Sequence, residues 1–156
     1  MIPGPASDGG MVDDRWDDLA VRREDRRLRA LVADDDEGIR ALLTAVLELD
    51  GWEVRVAGDG DEAVALTEAY HPDAVLLDVM MPVADGLGAL RRIRANEANR
   101  DVAVVMVSAF DTPGKRNEAR DAGADDFLVK PVAVDDVVER VSRLVRRHDL
   151  SAESLD

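Results

Sequence analysis

The stretch "AVLLDVMMPV", residues 74–83, runs from an apolar segment into an acid and then a proline. Consecutive apolar residues are typical of a strand that is buried on both faces, as in a parallel sheet. The segment stops at Asp78, and Pro82 indicates a turn just beyond it. Asp78 is therefore either a solvated strand end or a reactive group, and the rest of the chain bears on that choice.

Short apolar segments alternate with segments of helical periodicity along the chain. The apolar segments are 28–33, 52–57, 73–78, 102–108 and 126–129, and the helical ones are 38–49, 61–70, 88–96, 113–122 and 134–147. Strand–helix alternation indicates a parallel sheet with helices on both faces, and right-handed crossovers restrict its topology. The predicted fold is α/β, a doubly wound five-stranded parallel sheet of order 2-1-3-4-5 with five helices.

The chain divides into one predicted domain and two flanking segments. Residues 1–26 begin with a glycine- and proline-rich stretch and continue with charges of both signs, so we expect a flexible or partly helical extension. A helix that binds a partner is the alternative for this segment. The folded domain is predicted over residues 27–148, and residues 149–156 are interpreted as a short acidic tail.

Composition and charge exclude several classes of protein. The chain has no cysteine, which excludes disulfides, thiol catalysis and cysteine-based zinc sites. Its net charge of −14 disfavours direct binding to nucleic acid or to anionic membranes. No apolar segment approaches the ~20 residues that span a bilayer, and the N-terminus lacks an apolar signal segment. We therefore expect a cytoplasmic protein.

Polar side chains follow four of the predicted strands. Asp34 and Asp35 follow the first strand, Asp78 ends the third, Ser108 ends the fourth and Lys130 follows the fifth. The carboxyl ends of parallel strands share one edge of the sheet, where doubly wound folds bind ligands. At ~4 Å and an effective dielectric constant of ~20, each pair of carboxylates costs about 4 kcal/mol, so a cation or protonation must compensate. Oxygen ligands suit Mg²⁺ or Mn²⁺, and a metal beside a lysine and a hydroxyl suits a phosphoryl group.

Each of these residues alone has an ordinary structural explanation. Asp36 and Glu37 fit the N-terminus of the following helix, and Asp78 or Ser108 alone would fit a strand end. Their coincidence at several strand ends favours a functional site instead. A carboxylate in such a site can attack phosphorus and form an acyl phosphate.

Four motifs carry a resemblance to a known family. They are "LVADDDEGIR" (31–40), "PDAVLLDVMMPVADGL" (72–87), "VVMVSAF" (104–110) and "GADDFLVKPV" (123–132). In this order and spacing they resemble the receiver domain of bacterial two-component response regulators, of the CheY-like kind that stands alone. The resemblance extends from about Leu28 to Arg147.

The resemblance implies a role for each charged residue at the predicted edge. Asp78 would be the phosphoacceptor. Asp35, Asp78 and the backbone carbonyl of Met80 would bind Mg²⁺ or Mn²⁺, and Asp34 would act through a metal-bound water. Lys130 would pair with Asp78 and later with the phosphoryl group.

The resemblance also implies the parts of a switch. Ser108 would hydrogen-bond the phosphoryl oxygen, and Phe127 would turn inward as Ser108 moves. The peptide bond before Pro131 would be cis, a form that X-Pro bonds adopt at small cost. Met80 and Phe110 occupy positions that influence attack by water, and both are apolar here, so slow self-dephosphorylation is expected.

The implied output surface is the face formed by the fourth helix, the fifth strand and the fifth helix. Its charged residues resemble the pattern of receiver dimers in winged-helix regulators: Arg116, Asp121, Asp125, Asp126, Arg140 and Arg147. Surface charge pairs are weak indicators of an interface. A merely solvated face is therefore the favoured interpretation, and a phosphorylation-enhanced homodimer is the alternative.

The predicted function is a phosphorylation-dependent signalling switch. The resemblance implies a sensor histidine kinase or a histidine phosphotransfer protein as donor and a protein effector as target. Catalysis would be limited to the protein's own phosphorylation and slow dephosphorylation. One alternative is a Mg²⁺-dependent phosphohydrolase, which typically has an acid where Met80 stands; the other is a phosphorylation-independent pseudo-receiver that acts as a binding module. A Rossmann domain is disfavoured, since no GxGxxG motif follows the first strand.

Overall fold

The computed structural model describes residues 27–154 of the chain, and its side chains as far as Arg147. The predicted extension, residues 1–26, lies outside the described residues, as do the last two residues of the tail. The strands are β1 (Arg29–Ala33), β2 (Glu53–Ala57), β3 (Ala74–Asp78), β4 (Ala103–Ser108) and β5 (Asp126–Val129). The helices are α1 (Glu37–Leu49), α2 (Gly60–Tyr70), α3 (Gly86–Ala95), α4 (Pro113–Ala122) and α5 (Val134–Ser154), with a short 3-10 helix at Glu97–Asn99.

The five strands form one sheet in the order β2-β1-β3-β4-β5, and every neighbouring pair is parallel. The predicted fold class, strand order and number of α-helices are thus confirmed over the described residues. The register aligns Ala33 with Leu77, Asp78 with Val107, and Ser108 with Val129. The carboxyl ends of β1, β3, β4 and β5 therefore lie side by side at one edge of the sheet.

Hydrophobic packing covers both faces of the sheet. The central strands β3 and β4 are buried along their whole length, whereas Arg55 and Val56 of the edge strand β2 are exposed. Alternate residues point to opposite faces. Leu77 packs with residues of α2, α3 and α4, and its neighbour Leu76 packs with residues of α1 and α5. This two-sided burial explains why the strands read as continuous apolar segments.

Capping residues set most of the helix boundaries. Asp36, Asp59, Asp85 and Thr112 each accept a hydrogen bond from a backbone N–H in the first turn of α1, α2, α3 and α4. Such caps satisfy donors that have no partner within the helix. Gly123, which ends α4, has a φ of +109°, a conformation that glycine adopts without the steric cost of a Cβ atom.

Two elements differ from the sequence prediction. The helix α5 continues to Ser154, so residues predicted as an acidic tail extend the helix. No glycine or proline interrupts the chain between residues 134 and 154, which is consistent with that continuation. The 3-10 helix at Glu97–Asn99 was not predicted, because one short turn gives no periodic signal. Within residues 27–154, no helix is both long and apolar enough to cross a membrane.

Candidate functional site

Three carboxylates meet at the carboxyl edge of the sheet. Asp34, Asp35 and Asp78 each place a carboxylate oxygen within 4.8 Å of the others. Asp34 and Asp78 are buried, with 2% and 4% of their surfaces exposed, whereas Asp35 is exposed. The strands β1 and β3 are hydrogen-bonded neighbours, so their ends bring these acids together. The predicted acidic cluster is therefore present.

Lys130 reaches the cluster from the turn after β5. Its Nζ atom lies 2.8 Å from Oδ2 of Asp34 and 3.6 Å from Oδ1 of Asp78. Burial lowers the pKa of Lys130, but the hydrogen bond to Asp34 and the charges of both acids outweigh that effect, and the net pKa lies above its usual value. The sequence interpretation paired Lys130 with Asp78, whereas the shorter contact is with Asp34.

The carboxyl group of Asp78 is hard to ionise in this environment. Burial, and next the charge of Asp34, raise its pKa to about 6. The charge of Lys130 and the backbone N–H of Met80, which lies 3.3 Å from Oδ1, act in the opposite direction. A cation bound at the cluster would remove most of the like-charge repulsion.

Asp34 is held at its backbone and at both carboxylate oxygens. Its N–H donates to the carbonyl of Ala57, and its carbonyl accepts from Nη1 of Arg40 at 2.7 Å. Its Oδ1 accepts from the N–H of Asp36, and its Oδ2 contacts Lys130. Sequence reasoning missed Arg40, since the pattern of α1 does not reveal that a polar side chain reaches back to the preceding loop.

The loop after Asp78 packs tightly against the start of α3. A Cβ atom at Gly86 would lie 2.0 Å from the carbonyl oxygen of Asp78, so only glycine fits there. The N–H of Gly86 donates to the carbonyl of Val79, and the N–H of Val79 donates to Val107. Val83, in the same loop, has a φ of +70°, which is strained for a β-branched residue. The backbone from Asp78 to Gly86 is therefore closely constrained.

Ser108 and Phe127 are both inside the protein. Ser108 is fully buried, and its hydroxyl accepts a hydrogen bond from the N–H of Phe110 at 3.0 Å. The N–H of Lys130 donates to the Ser108 carbonyl. The ring of Phe127 is 7% exposed, and the guanidinium of Arg116 lies over it at 5.0 Å from the ring centre. Ser108 and Lys130 thus lie together at the carboxyl ends of β4 and β5, whereas Phe127 pairs with Met106, two residues before Ser108.

Met80 and Phe110 flank the acidic cluster on two adjacent loops. Each has 54% of its surface exposed, although both are large and apolar. Met80 follows β3 and Phe110 follows β4, and these strands are neighbours in the sheet. The peptide bond between Lys130 and Pro131 is cis.

Four of the six residues assigned to an output face have partners within the chain. Arg140 contacts Asp126 at 3.1 Å and Asp136 at 3.2 Å, and Arg116 pairs with Asp111. Asp125 accepts hydrogen bonds from Arg94 and from the N–H of Val104. Asp121 and Arg147 are exposed. The Arg140–Asp136 pair has the i,i+4 spacing of one helix, whereas the other pairs join residues of separate elements or loops and are not apparent from the sequence.

The donor set of the acidic cluster fits a hard divalent cation. Asp34, Asp35 and Asp78 supply carboxylate oxygens, and within residues 27–147 no histidine belongs to this group of ligands. Oxygen-only donor sets are those that Mg²⁺ and Mn²⁺ prefer. The exposed side of Asp35 leaves room for water or a further ligand.

Comparison with curated proteins agrees with this geometry. The sequence model described as "Response regulator receiver domain" matches residues 30–142. Response regulator MprA of Mycolicibacterium vanbaalenii is 42% identical over 120 residues, which cover 77% of this chain and 51% of that protein. MprA of Mycobacterium leprae is 39% identical over 130 residues, which cover 82% and 56%. The chain thus spans about half the length of these curated relatives.

Solved structures share the same fold. The receiver domain of the Francisella response regulator 1452 is 35% identical, with a TM-score of 0.72 over 78% of this chain and 98% of that chain. The receiver domain of the Pseudomonas aeruginosa sensor histidine kinase PA1611, solved with magnesium in its active-site cleft, is 31% identical, with a TM-score of 0.72 over 77% and 98%. With the fold, the acidic edge and these relatives in agreement, the chain belongs to the response regulator receiver domain family of two-component signalling.

Proposed function

We propose that this protein is a phosphorylation-dependent switch in which Asp78 accepts a phosphoryl group. The donor would be a phosphohistidine on a sensor histidine kinase or a histidine phosphotransfer protein. The observation that carries the proposal is the placement of Asp78, buried at the end of β3 between two further acids and Lys130. A buried carboxylate with a raised pKa in such a cluster is typical of a functional site.

The transfer step follows from the chemistry of the carboxylate. An ionised oxygen of Asp78 attacks phosphorus, the bond from phosphorus to the imidazole nitrogen of the donor breaks, and the nitrogen keeps the electron pair and takes up a proton. The product is an acyl phosphate on Asp78. Because the pKa of Asp78 is about 6 without a bound cation, the nucleophilic form prevails at neutral pH. Lys130 is close enough to contact the new phosphoryl oxygens.

The proposed cofactor is Mg²⁺, with Mn²⁺ as a substitute. Asp35, Asp78 and the backbone carbonyl of Met80 would hold the ion, and Asp34 would contact it through water. When bound, the ion neutralises the charge on the carboxylates and on the transferred phosphoryl group. The donor set of the cluster and the magnesium in the related PA1611 receiver domain support this assignment.

Output would start from the residues that contact the phosphoryl group. A phosphoryl group on Asp78 adds negative charge and three acceptor oxygens. Ser108 and Lys130 would gain contacts with it, and those contacts would bias the loop after β4 and the ring of Phe127 toward a second arrangement. The contact of Lys130 with Asp34 and the hydrogen bond to the Ser108 hydroxyl would be exchanged in that step. The signal would then leave through the face of α4, β5 and α5, toward a protein effector or a second copy.

One experiment separates this function from the alternatives. The full chain is incubated with acetyl phosphate and Mg²⁺, and its intact mass is followed over time beside Asp78→Ala and a sample with EDTA. A stoichiometric, Mg²⁺-dependent phosphoryl adduct that the variant lacks is expected. Turnover of many phosphate monoesters without an adduct would instead indicate a phosphohydrolase, and neither adduct nor turnover would indicate a pseudo-receiver.

A further inference from the structure

Arg40, in the first turns of α1, contacts the acidic site through its side chain. Its Nη1 atom donates a hydrogen bond of 2.7 Å to the backbone carbonyl oxygen of Asp34, in a partly buried position. We propose that Arg40 is a positioning residue for the Mg²⁺ site, which sets the orientation of Asp35. The inference rests on the function proposed above, because it concerns the same metal.

The carbonyl that Arg40 contacts belongs to the peptide unit between Asp34 and Asp35. A peptide unit is planar, so a fixed carbonyl oxygen also fixes the direction in which the chain enters Asp35. The other contacts of Asp34 act on its own N–H and on its own carboxylate oxygens. Among these contacts, the hydrogen bond from Arg40 is thus the one that holds the peptide unit between Asp34 and Asp35.

Asp35 needs this support more than the other acids do. Asp34 and Asp78 are buried and make hydrogen bonds or ion pairs through their carboxylates. Among the residues described, the structure shows no hydrogen bond or ion pair from the side chain of Asp35, which is exposed. Its position at the cluster therefore depends on its backbone, and the loop backbone is held by Arg40 on one side and by the cap residue Asp36 on the other.

The charge of Arg40 acts against its own positioning effect. A guanidinium that contacts the peptide unit between two of the carboxylates repels a divalent cation bound there, so removal of the charge alone would tighten Mg²⁺ binding. Removal of the hydrogen bond would free the Asp34–Asp35 peptide unit and weaken Mg²⁺ binding. The two roles predict changes of opposite sign, which makes the proposal decidable with one measurement.

The test compares Mg²⁺ binding of the full chain with that of three variants by isothermal titration calorimetry, without any phosphodonor. Arg40→Met removes the charge and the donor, whereas Arg40→Lys keeps the charge and one donor. Arg100→Met is the control, because it removes the same charge from an exposed residue at the opposite edge of the sheet. Outer contacts of metal sites typically affect affinity 10–100-fold, so we expect a loss of about tenfold for Arg40→Met, a smaller loss for Arg40→Lys and none for Arg100→Met.

Phosphorylation by acetyl phosphate supplies a second readout. The concentration of Mg²⁺ that gives half the maximal rate should rise about tenfold in Arg40→Met, while the rate at saturating Mg²⁺ stays close to that of the unmodified chain. A cooperative unfolding transition in EDTA shows that a variant is folded. If Arg40→Met is not folded, the comparison of Arg40→Lys with the unmodified chain provides the test.

The outcomes that overturn the inference are distinct from failure of the proposed function. Mg²⁺ binding that is equal or tighter in both Arg40 variants would show that Arg40 does not position the site. Absence of Mg²⁺ binding to the unmodified chain would instead count against the proposed function and its metal, whatever the variants do.

Discussion

At the scale of single residues, Asp78 is ionised at the expense of folding stability. Burial and the charge of Asp34 raise its pKa to about 6, from an ordinary value of 3.8. The folded metal-free protein therefore binds more protons than the unfolded chain between these two pH values, and its free energy of unfolding falls as the pH rises through that interval. The carboxylate that we propose as the phosphoacceptor is thus maintained in the core at a cost to stability.

Replacement of Asp78 by asparagine should remove that cost. In EDTA at pH 7.5, we expect Asp78→Asn to raise the free energy of unfolding by about 2–3 kcal/mol, since one pKa unit corresponds to ~1.4 kcal/mol. The gain should become much smaller as the pH falls to 4, where Asp78 is protonated in the folded state and is only partly ionised in the unfolded chain. Urea unfolding at the two pH values measures the effect, and a gain that is independent of pH would contradict the electrostatic explanation.

The side chains of Met80 and Phe110 should determine how long the acyl phosphate lasts. Both are apolar, half-exposed and placed on loops beside Asp78, so neither can hydrogen-bond an attacking water. We expect Met80→Asn and Phe110→Lys each to accelerate release of inorganic phosphate from the phosphorylated protein several-fold. Met80→Leu is the matched apolar control and should leave the rate unchanged. Equal rates of phosphate release from the unmodified chain and the three variants would show that Met80 and Phe110 do not shield the acyl phosphate from water.

The residues of the site were predictable from the sequence, but several of their contacts were not. Asp34, Asp35, Asp78, Ser108 and Lys130 stand at strand ends, and the alternating pattern places strand ends at one edge. The preference of Lys130 for Asp34 and the reach of Arg40 to a backbone carbonyl depend on side-chain direction and loop geometry. No periodic pattern encodes those features, so they required coordinates.

At the scale of secondary-structure elements, Arg94 of α3 joins parts of the fold that are remote in sequence. Its guanidinium donates hydrogen bonds to the carboxylate of Asp125. It also donates to four backbone carbonyl oxygens, those of Asn99, Arg100, Val102 and Gly123. The acceptors lie in the 3-10 helix, before β4, after α4 and before β5. One partly buried planar guanidinium thus ties α3 to the elements beside the proposed output face.

Loss of Arg94 should therefore destabilise the fold. We expect Arg94→Ala to lower the free energy of unfolding by about 2–4 kcal/mol, because several carbonyls lose a charged donor. Arg92→Ala on the same helix is the control, and it should cost less than about 0.5 kcal/mol, since the Arg92–Asp61 pair is exposed. Urea unfolding compares the two, and equal costs would contradict the assigned role of Arg94.

The helices and strands themselves followed the sequence closely, for reasons visible in particular residues. The start of α4 at Pro113 and its end before Gly123 coincide with residues that begin and end helices. Elsewhere the caps Asp59 and Asp85 start α2 and α3 one or two residues before the apolar periodicity begins. The continuation of α5 to Ser154 differs from the prediction, which ends the helical pattern at Arg147 and interprets residues 149–156 as a short acidic tail.

At the scale of the whole molecule, we expect the net charge to oppose association between copies of the chain. The chain carries a net charge of −14, which makes copies repel one another. The charged residues of the proposed output face are largely engaged within the chain, notably in the Arg140–Asp126 and Arg116–Asp111 pairs. A homodimer through this face would have to exchange these pairs for contacts between copies.

The unphosphorylated protein is accordingly expected to be a monomer. Light scattering at physiological ionic strength, with and without beryllofluoride and Mg²⁺ as a phosphoryl analogue, provides the measurement. A dimer that forms only with the analogue, and that Arg147→Glu weakens, would support output through self-association; a monomer in both states would leave a protein effector as the target. A stable dimer without the analogue would contradict the expectation.

The fold as a whole was the most predictable feature, and the assembly was the least. Alternation of strands such as 73–78 with helices such as 134–147 leaves few topologies once crossovers are right-handed. By contrast, the charge pattern of Arg116, Asp126 and Arg140 is the same whether the partners lie within one chain or in two. The distances in the structure show that Arg140 pairs with Asp126 within one chain, which the sequence alone does not reveal.

Chemical trapping shows whether Asp78 is the residue that carries the phosphoryl group. The protein is phosphorylated with acetyl phosphate and Mg²⁺, the acyl phosphate is reduced with borohydride to homoserine, and the modified residue is located by peptide mass spectrometry. We predict homoserine at position 78 alone, and no trapped residue in Asp78→Asn. Homoserine at Asp34 or Asp35 of the unmodified chain, or an undiminished phosphoryl adduct in Asp78→Asn, would show that Asp78 is not the phosphoacceptor.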